Sequence, residues 1–436
     1  MREGWKKAKI GDYCKVLSSK RVFANDYVKK GIPFYRSKEI IHKALNQFTG
    51  DEIYISEKKF NDFKSKFGAP IKGDILLSSV GNRSGIAYLV REDYDFYFKD
   101  GNLIWMKDFS NELSSEYLEY YLRSELGQKT IESMMIGAAQ KALTIDGVKR
   151  IKINLPPLKT QRKIASMLSA YDDLIENNLK RIKLLEEQAQ LTYTEWFVRF
   201  KFPGYENTDF DEVSGLPVGW EKVKLVECAN LVMGQSPKSE FYNNEEIGLP
   251  FHQGVKDYGF RFPINYSWST QGNRIAEEDS ILFSVRAPVG RLNIAIEKLI
   301  IGRGLASINH KKGWNSFLLY QLQNIFYEDN LMGGGAIYNS VTKKDVERIK
   351  IIHASEEINI KFNDLATIID KQIKNLTIQN QHLKEARDIL LPRLMSGMID
   401  VASASSATYN PLLELVEGND SLGMVAEESD IYKKLN

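Results

Sequence analysis

The chain has 436 residues, 27% of them charged, and a net charge of +2, which suits a folded chain of two domains plus connectors rather than one small core. No apolar stretch approaches the ~18–20 residues of a membrane span and Met1 to Trp5 lacks the apolar core of a secretory signal, so no membrane partner and a cytoplasmic location are expected. Cys14 and Cys228, the two cysteines, form neither a disulfide framework nor a CxxC metal site.

In chain order, Gly4-Trp5 opens a first segment of short β-rich runs and turns. Ile75-Leu76-Leu77 and Ile86 to Val90 are predicted strands around the loop Gly81-Asn82-Arg83-Ser84-Gly85, and residues 115–126 carry helical spacing at Leu118, Tyr121 and Leu122. Thr144 to Ile153 ends this head. Everything then returns: Gly219-Trp220, a strand at Ile281 to Val285, the loop Arg286 to Gly290, a strand at Leu292 to Ile296, a helix at residues 316–326 and Thr342 to Ile351. The two strand–loop anchors, Val80 with Val285 and Gly85 with Gly290, align at one offset of 205.

Each head leads into a long heptad pattern. The first runs Ile164, Leu168, Tyr171, Ile175, Asn178, Ile182, Leu185, Ala189, Thr192 and Trp196. The second runs Phe362, Ala366, Ile369, Ile373, Leu376, Asn380, Leu383, Arg387 and Leu390. A sustained 3.5-residue average predicts a coiled-coil seam, with one Asn in each able to fix register. A helix from Ile164 to Trp196 would be about 50 Å long. Pro392 is expected to break or kink the second helix. The fold expected is α+β: two similar globular α/β heads separated by two long antiparallel helices forming a coiled coil, an internal pseudo-twofold repeat. Residues 1–155 form head one, 156–200 the central helix, 201–219 a linker, 220–353 head two, 354–400 the C-terminal helix and 401–436 an acidic tail.

The sequence holds no GxxxxGK[ST] phosphate loop, no HExxH and no G-x-S-x-G elbow, which points to binding rather than catalysis. Charge is partitioned: an excess of +7 in head one and +2 in head two, against −3 in the linker and −4 in the tail. Two loops per head combine small, polar and basic residues suited to base edges and phosphates. In head one these supply Asn82, Arg83, Ser84, Gln140 and Lys141, with Lys20, Arg21, Arg36 and Lys38 as further candidates. In head two they supply Arg286, Arg291, Tyr338, Asn339, Lys343 and Lys344, with Arg261 and Arg274 beside them. For each residue alone, a solvated surface charge is the competing reading. Tyr193, Trp196 and Phe197 are candidates for docking a partner, with burial against their own head as the alternative.

The junctions carry a recognisable pattern. Leu155-Pro156-Pro157-Leu158-Lys159-Thr160-Gln161-Arg162-Lys163-Ile164, Trp196 to Gly204, Leu216 to Trp220 and Leu390 to Val401 resemble, in order, the conserved regions of Type I restriction–modification specificity subunits. Gly234-Gln235-Ser236-Pro237 resembles a turn of that family, where head one has Leu17-Ser18-Ser19-Lys20. The second junction, His353 to Glu357, lacks the Pro-Pro-Leu and Gln of the first. The resemblance implies a non-catalytic subunit whose two recognition domains each read half of a split, asymmetric site in double-stranded DNA. Its helices would set the spacer and dock two methyltransferase subunits. S-adenosylmethionine, ATP and Mg would be expected on the methyltransferase and restriction–translocase subunits, with no cofactor or metal in this chain. The alternatives are a duplicated coiled-coil scaffold that binds proteins, and a detached module serving a methyltransferase–nuclease fusion.

Overall fold

A computed structural model describes residues 4–45, 53–81, 83–137, 141–326 and 340–401. The chain divides into two compact units: Met1–Asn177 with Asn380–Asn436, and Asn178–Gln379. The cuts fall inside the long helices, because the core of each head continues onto the helix segments packed against it. Ile164, Ala165, Leu168, Leu391, Leu394, Met395 and Val401 join the core of the first unit. Ile182, Ala189, Tyr193, Phe362, Ala366, Ile369, Ile373 and Leu376 join that of the second.

The first head is built on an antiparallel sheet ordered Lys15–Leu17, Leu103–Lys107, Ile75–Ser78, Ala87–Leu89. All four residues of Ile75–Ser78 are buried, as befits a strand with a neighbour on each edge and packing on both faces. A second sheet orders Tyr27–Val28, Tyr54–Ile55, Ile32–Tyr35 and Tyr97–Phe98, the last pair parallel. Lys6–Lys9 pairs with Lys152–Leu155 and ties the two ends of the head together. The second head repeats this plan with one strand added. Its first sheet orders Ala229–Met233, Leu305–His310, Ile281–Ser284 and Leu292–Ile294, and Glu221–Lys224 pairs with Lys350–His353. Its second sheet gains one strand, Ile275–Ala276.

The helix predicted at residues 115–126 is two helices, Ser115–Arg123 and Glu125–Met134. Ser124 separates them and caps the second, its hydroxyl accepting from Gly127 N at 3.1 Å. Thr144 and Thr342 cap the short helices Ile145–Arg150 and Lys343–Glu347 in the same way.

The long helices are Leu158–Tyr193, continued by a π-helical turn Thr194–Val198, and Glu356–Ser396. The predicted seam holds within each unit: Ile164, Leu168, Ile175, Asn178, Ile182, Ile369, Ile373, Leu376, Asn380 and Leu383 are all buried, and Leu185 is half-buried. In the first unit Asn380 Nδ2 donates to Ile175 O at 3.5 Å. Two ends differ from the heptad reading. Past Ala189 the buried positions are Tyr193, four residues on in the same helix, and Phe197 in the π turn, rather than Thr192 and Trp196. At the other end Leu391 is buried and Leu390 half-buried. Pro392 does not end its helix. Burial of Leu391, Leu394 and Met395, at roughly 1.5–3 kcal/mol each, outweighs the ~3 kcal/mol that an interior proline costs. The stop comes at Gly397, at φ 75°, where Met398 N reaches back to Arg393 O at 3.0 Å.

In each unit a tyrosine on a head helix is hydrogen-bonded to an aspartate on a long helix. Tyr120 Oη donates to Asp172 at 2.8 Å, and Tyr320 Oη to Asp370 at 2.8 Å. Asp172 also accepts from Arg123 at 2.9 Å and Arg387 at 2.6 Å. Burial alone would raise its pKa; the two guanidinium groups outweigh burial and hold it below the ordinary carboxylate range.

Candidate nucleic-acid interface

Five segments of head one meet at the turn of residues 99–102. Lys99 N donates to Tyr35 O at 2.9 Å and Gly101 N to Ser18 Oγ at 3.3 Å. Ser37 Oγ and Ser79 N both donate to Asn102 O at 3.0 Å. Leu143 N donates to Ser79 O at 2.8 Å, and Ala142 bridges to Val80, which brings in the last segment. The turn therefore gathers the places where Lys20, Arg21, Arg36, Lys38, Arg83 and Lys141 are rooted, dispersed in sequence though they are.

Their chemistry differs. Lys20, Arg21, Lys38, Arg83 and Lys141 are exposed. Arg21 is held by Asp100 at 3.2 Å, and half-buried Arg36 is gripped by Glu39 at 2.6 Å. Ser84 works within its loop, its N donating to Gly81 O and its hydroxyl to Met135 Sδ at 3.6 Å.

Head two builds the same junction on residues 302–304. Gly302 N donates to His252 O at 2.8 Å, Gly304 N to Gln253 O at 3.0 Å, and Arg303 N to Ser236 Oγ at 3.3 Å. Val285 N donates to Gly304 O and Val341 N to Val285 O, both at 2.9 Å, while Arg286 bridges to Ser340. A Cβ on Gly304 would lie 2.5 Å from Gln253 O, so the segments approach as only glycine allows. Arg286, Arg291, Arg274, Lys343 and Lys344 are exposed around this junction. Arg274 O accepts from Ile301 N, and Lys343 pairs with Glu347 at 3.5 Å. Asn82, Gln140, Tyr338 and Asn339 lie outside the described residues.

Hydrogen bonding corrects the repeat by one residue. Ser78 Oγ donates to Arg83 O and accepts from Ile86 N; Ser284 Oγ donates to Pro288 O and accepts from Arg291 N. Ser78 thus matches Ser284, an offset of 206, while Gly85 and Gly290 keep 205 because the first loop is one residue longer. Arg286 then stands where head one has Val80, not Val285 as the sequence alignment has it.

Arg261 is not a surface cation. Its side chain is 4% exposed and lies between Asp370, Glu186 at 3.1 Å and Tyr320 Oη at 3.2 Å. Burial pushes the Glu186 pKa up while Arg261 pulls it down. This arginine anchors head two to the helix segments of its own unit. Tyr193 and Phe197 are likewise corrected: both are buried, stacked at 5.0 Å and packed on Phe362, and Trp196 is half-buried against the same ring at 5.8 Å. The junction also holds Gln253 and Arg303, which the sequence did not single out, beside Ser236 of the Gly234–Pro237 turn, which it did; the Gly302-Arg303-Gly304 run is the signal that could have found them.

The model of the Type I restriction modification DNA specificity domain matches residues 2–187 and again 217–385. The MjaX type I restriction enzyme specificity subunit of Methanocaldococcus jannaschii is 31% identical over 407 residues, which cover 92% of this chain and 94% of that protein. The HindI specificity subunit of Haemophilus influenzae is 25% identical, covering 91% and 99%. A solved S subunit from M. genitalium shares the fold at a TM-score of 0.59 and 17% identity, covering 89% of this chain and 96% of that one. With two matched domains spanning most of its length, the chain belongs to the family of Type I restriction–modification specificity subunits.

Proposed function

We propose that this chain is the non-catalytic DNA-reading subunit of its complex, each head recognising one half of a bipartite, asymmetric site in double-stranded DNA. One observation carries this: both heads assemble the same five-segment junction through equivalent hydrogen bonds between the segments, yet present different side chains from it. A kept frame with changed contacts is what two different half-sites require. The long helices set the spacer and dock two methyltransferase subunits. S-adenosylmethionine is bound by those subunits, ATP and Mg by restriction–translocase subunits, and the assembly works in the cytoplasm. With Tyr193 and Phe197 buried, the docking surface moves to exposed Leu184 and Leu191, two helical turns apart and 64% and 66% exposed.

The methylated motif in DNA from cells expressing this chain with its methyltransferase subunit tests the reading. A split motif is expected, and adding one heptad to both helices should lengthen its spacer while leaving the letters unchanged. A short palindrome would overturn the two-head reading; a spacer that ignores the insertion would overturn the ruler. Binding should also weaken steeply with salt, as phosphate contacts demand.

A further inference from the structure

Gln253 and Arg303 come from distant segments, yet the fold fixes them to one another. Arg303 N donates to Ser236 Oγ at 3.3 Å, and Ser236 Oγ donates in turn to Gln253 Oε1 at 2.7 Å. The Gln253 backbone carbonyl accepts from Gly304 N. Behind them, Gly234 packs so closely that a Cβ would sit 2.1 Å from Gly302 O. Two exposed side chains are thus mounted on a junction with little freedom to move. A cleft of about 140 Å³ beside them is lined by Gln253, Gly254, Val255, Arg286, Ala287 and Gly304.

The relay orients the amide. One lone pair of Oε1 is taken by Ser236, leaving the second lone pair and the Nε2 hydrogens for a ligand. Among the described residues Arg303 has no ion-pair partner, so its fork of donors is free for an acceptor pair. Head one differs at the same places: Arg36 stands at the Gln253 position but is gripped by Glu39, and the turn carries Asp100, which holds Arg21. Self-neutralised pairs suit positioning; an amide held in place by Ser236 and an exposed guanidinium on a fixed backbone suit base edges.

We propose that Gln253 and Arg303 are specificity-determining residues of the second head, reading the major-groove edges of an adenine and a guanine in one half-site. This rests on the DNA-reading function proposed above. Adenine offers N7 and an N6 hydrogen to the amide; guanine offers O6 and N7 to the guanidinium. Ser236 is a positioning residue that holds the amide flat.

The test uses the full chain assembled with its methyltransferase subunits. It is titrated against the wild-type methylated site and against duplexes with each base pair changed in turn. For the wild-type complex each change should weaken binding about 5- to 150-fold. Gln253→Ala should reduce that ratio below about 2-fold at one A·T pair, and Arg303→Ala at one G·C pair of the same half, with every other position unchanged. Arg303→Lys keeps the charge without the fork and should flatten the same position. Ser236→Ala should blunt discrimination most at the adenine and, because it also removes the acceptor of Arg303 N, less strongly at the guanine. Uniform weakening across all duplexes with a shallower salt dependence would make these phosphate contacts and overturn the proposal. Unchanged ratios would overturn it too, as would unfolding of both the alanine and lysine variants. A wild-type complex that discriminates nowhere sinks the DNA-reading function itself, a different failure from discriminating variants.

Discussion

Replacing Arg261 with methionine separates the two roles this residue could have. The guanidinium is 4% exposed, with Glu186 and Asp370 on either side, their side chains only 22% and 17% exposed. Methionine refills the aliphatic stem, so the cavity contribution is small. What remains is a pair of carboxylates stripped of their shared cation, with Tyr320 Oη still donating to Asp370. Removing one partner of a buried ion pair costs about 3–5 kcal/mol. For a unit of about 200 residues, each kcal/mol is worth roughly 2–4 °C. Arg261→Met should therefore lower the melting temperature of the Asn178–Gln379 unit by about 6–20 °C, read by scanning calorimetry. Adding Glu186→Gln and Asp370→Asn removes the uncompensated charge and should restore most of the loss. DNA bound by the folded variant in the complete complex should keep its salt slope. A melting temperature within about 2 °C of wild type, together with a salt slope shallower by about 1, is the signature of a phosphate contact. That result would refute the assignment.

Three other outcomes follow from the packing. Gly290→Ala places a Cβ 2.6 Å from the Phe326 ring at a φ of 87°, and should cost at least ~2 kcal/mol in denaturant unfolding, from left-handed strain plus the clash. His310 is stacked on Trp314 at 4.9 Å and its pKa is lowered to about 4, by burial first and then by His353 and Lys312. Between about 6.5 and 4 the unfolded chain therefore binds a proton that the folded one refuses, so stability falls as pH drops through that window; His310→Gln should flatten the fall in melting temperature there. Leu184→Asn with Leu191→Asn should abolish co-elution with the methyltransferase subunit while leaving the melting temperature of the chain unchanged; co-elution at wild-type level would remove this stripe from the docking surface.

The repeat, the strand pairs flanking each loop and the long helices were legible because they rest on local patterns: turn residues, alternation and heptads. The candidate loops were also legible, and the structure brings each pair together through Ala142 with Val80 and Arg286 with Ser340. What sequence could not reveal is where a charge ends up when its partners are distant. Arg261 lies 75 residues from Glu186 and 109 from Asp370, and nothing local distinguishes it from a surface arginine. The seam failed where the helix changed type: the π turn at Thr194–Val198 buries Phe197 instead of Trp196. The strand register failed by one because sequence similarity favours matching Ser79-Val80 to Ser284-Val285, whereas hydrogen bonding matches Ser78 to Ser284.

That one-residue correction bears on how a duplicated frame comes to read an asymmetric site. Ser78 and Ser284 close their loops by the same two hydrogen bonds, Thr144 and Thr342 cap the same helix, and Tyr120 and Tyr320 grip the same aspartate position. These groups are satisfied within the protein and so are constrained by it: changing a buried one, such as Ser78 or Ser284, leaves a donor or acceptor unpaired, at about 1–3 kcal/mol. The exposed side chains carried on that frame have no such constraint. Val80 can become Arg286 without orphaning a partner in the core, whereas a change from Arg36 to the Gln253 of head two requires that the buried carboxylate of Glu39 change with it. One extra residue in the first loop and one fewer in the second turn move the neighbouring contacts without disturbing the sheet. Recognition can therefore diverge at the exposed positions of the two heads at little cost in stability, whereas the buried frame that aims it cannot.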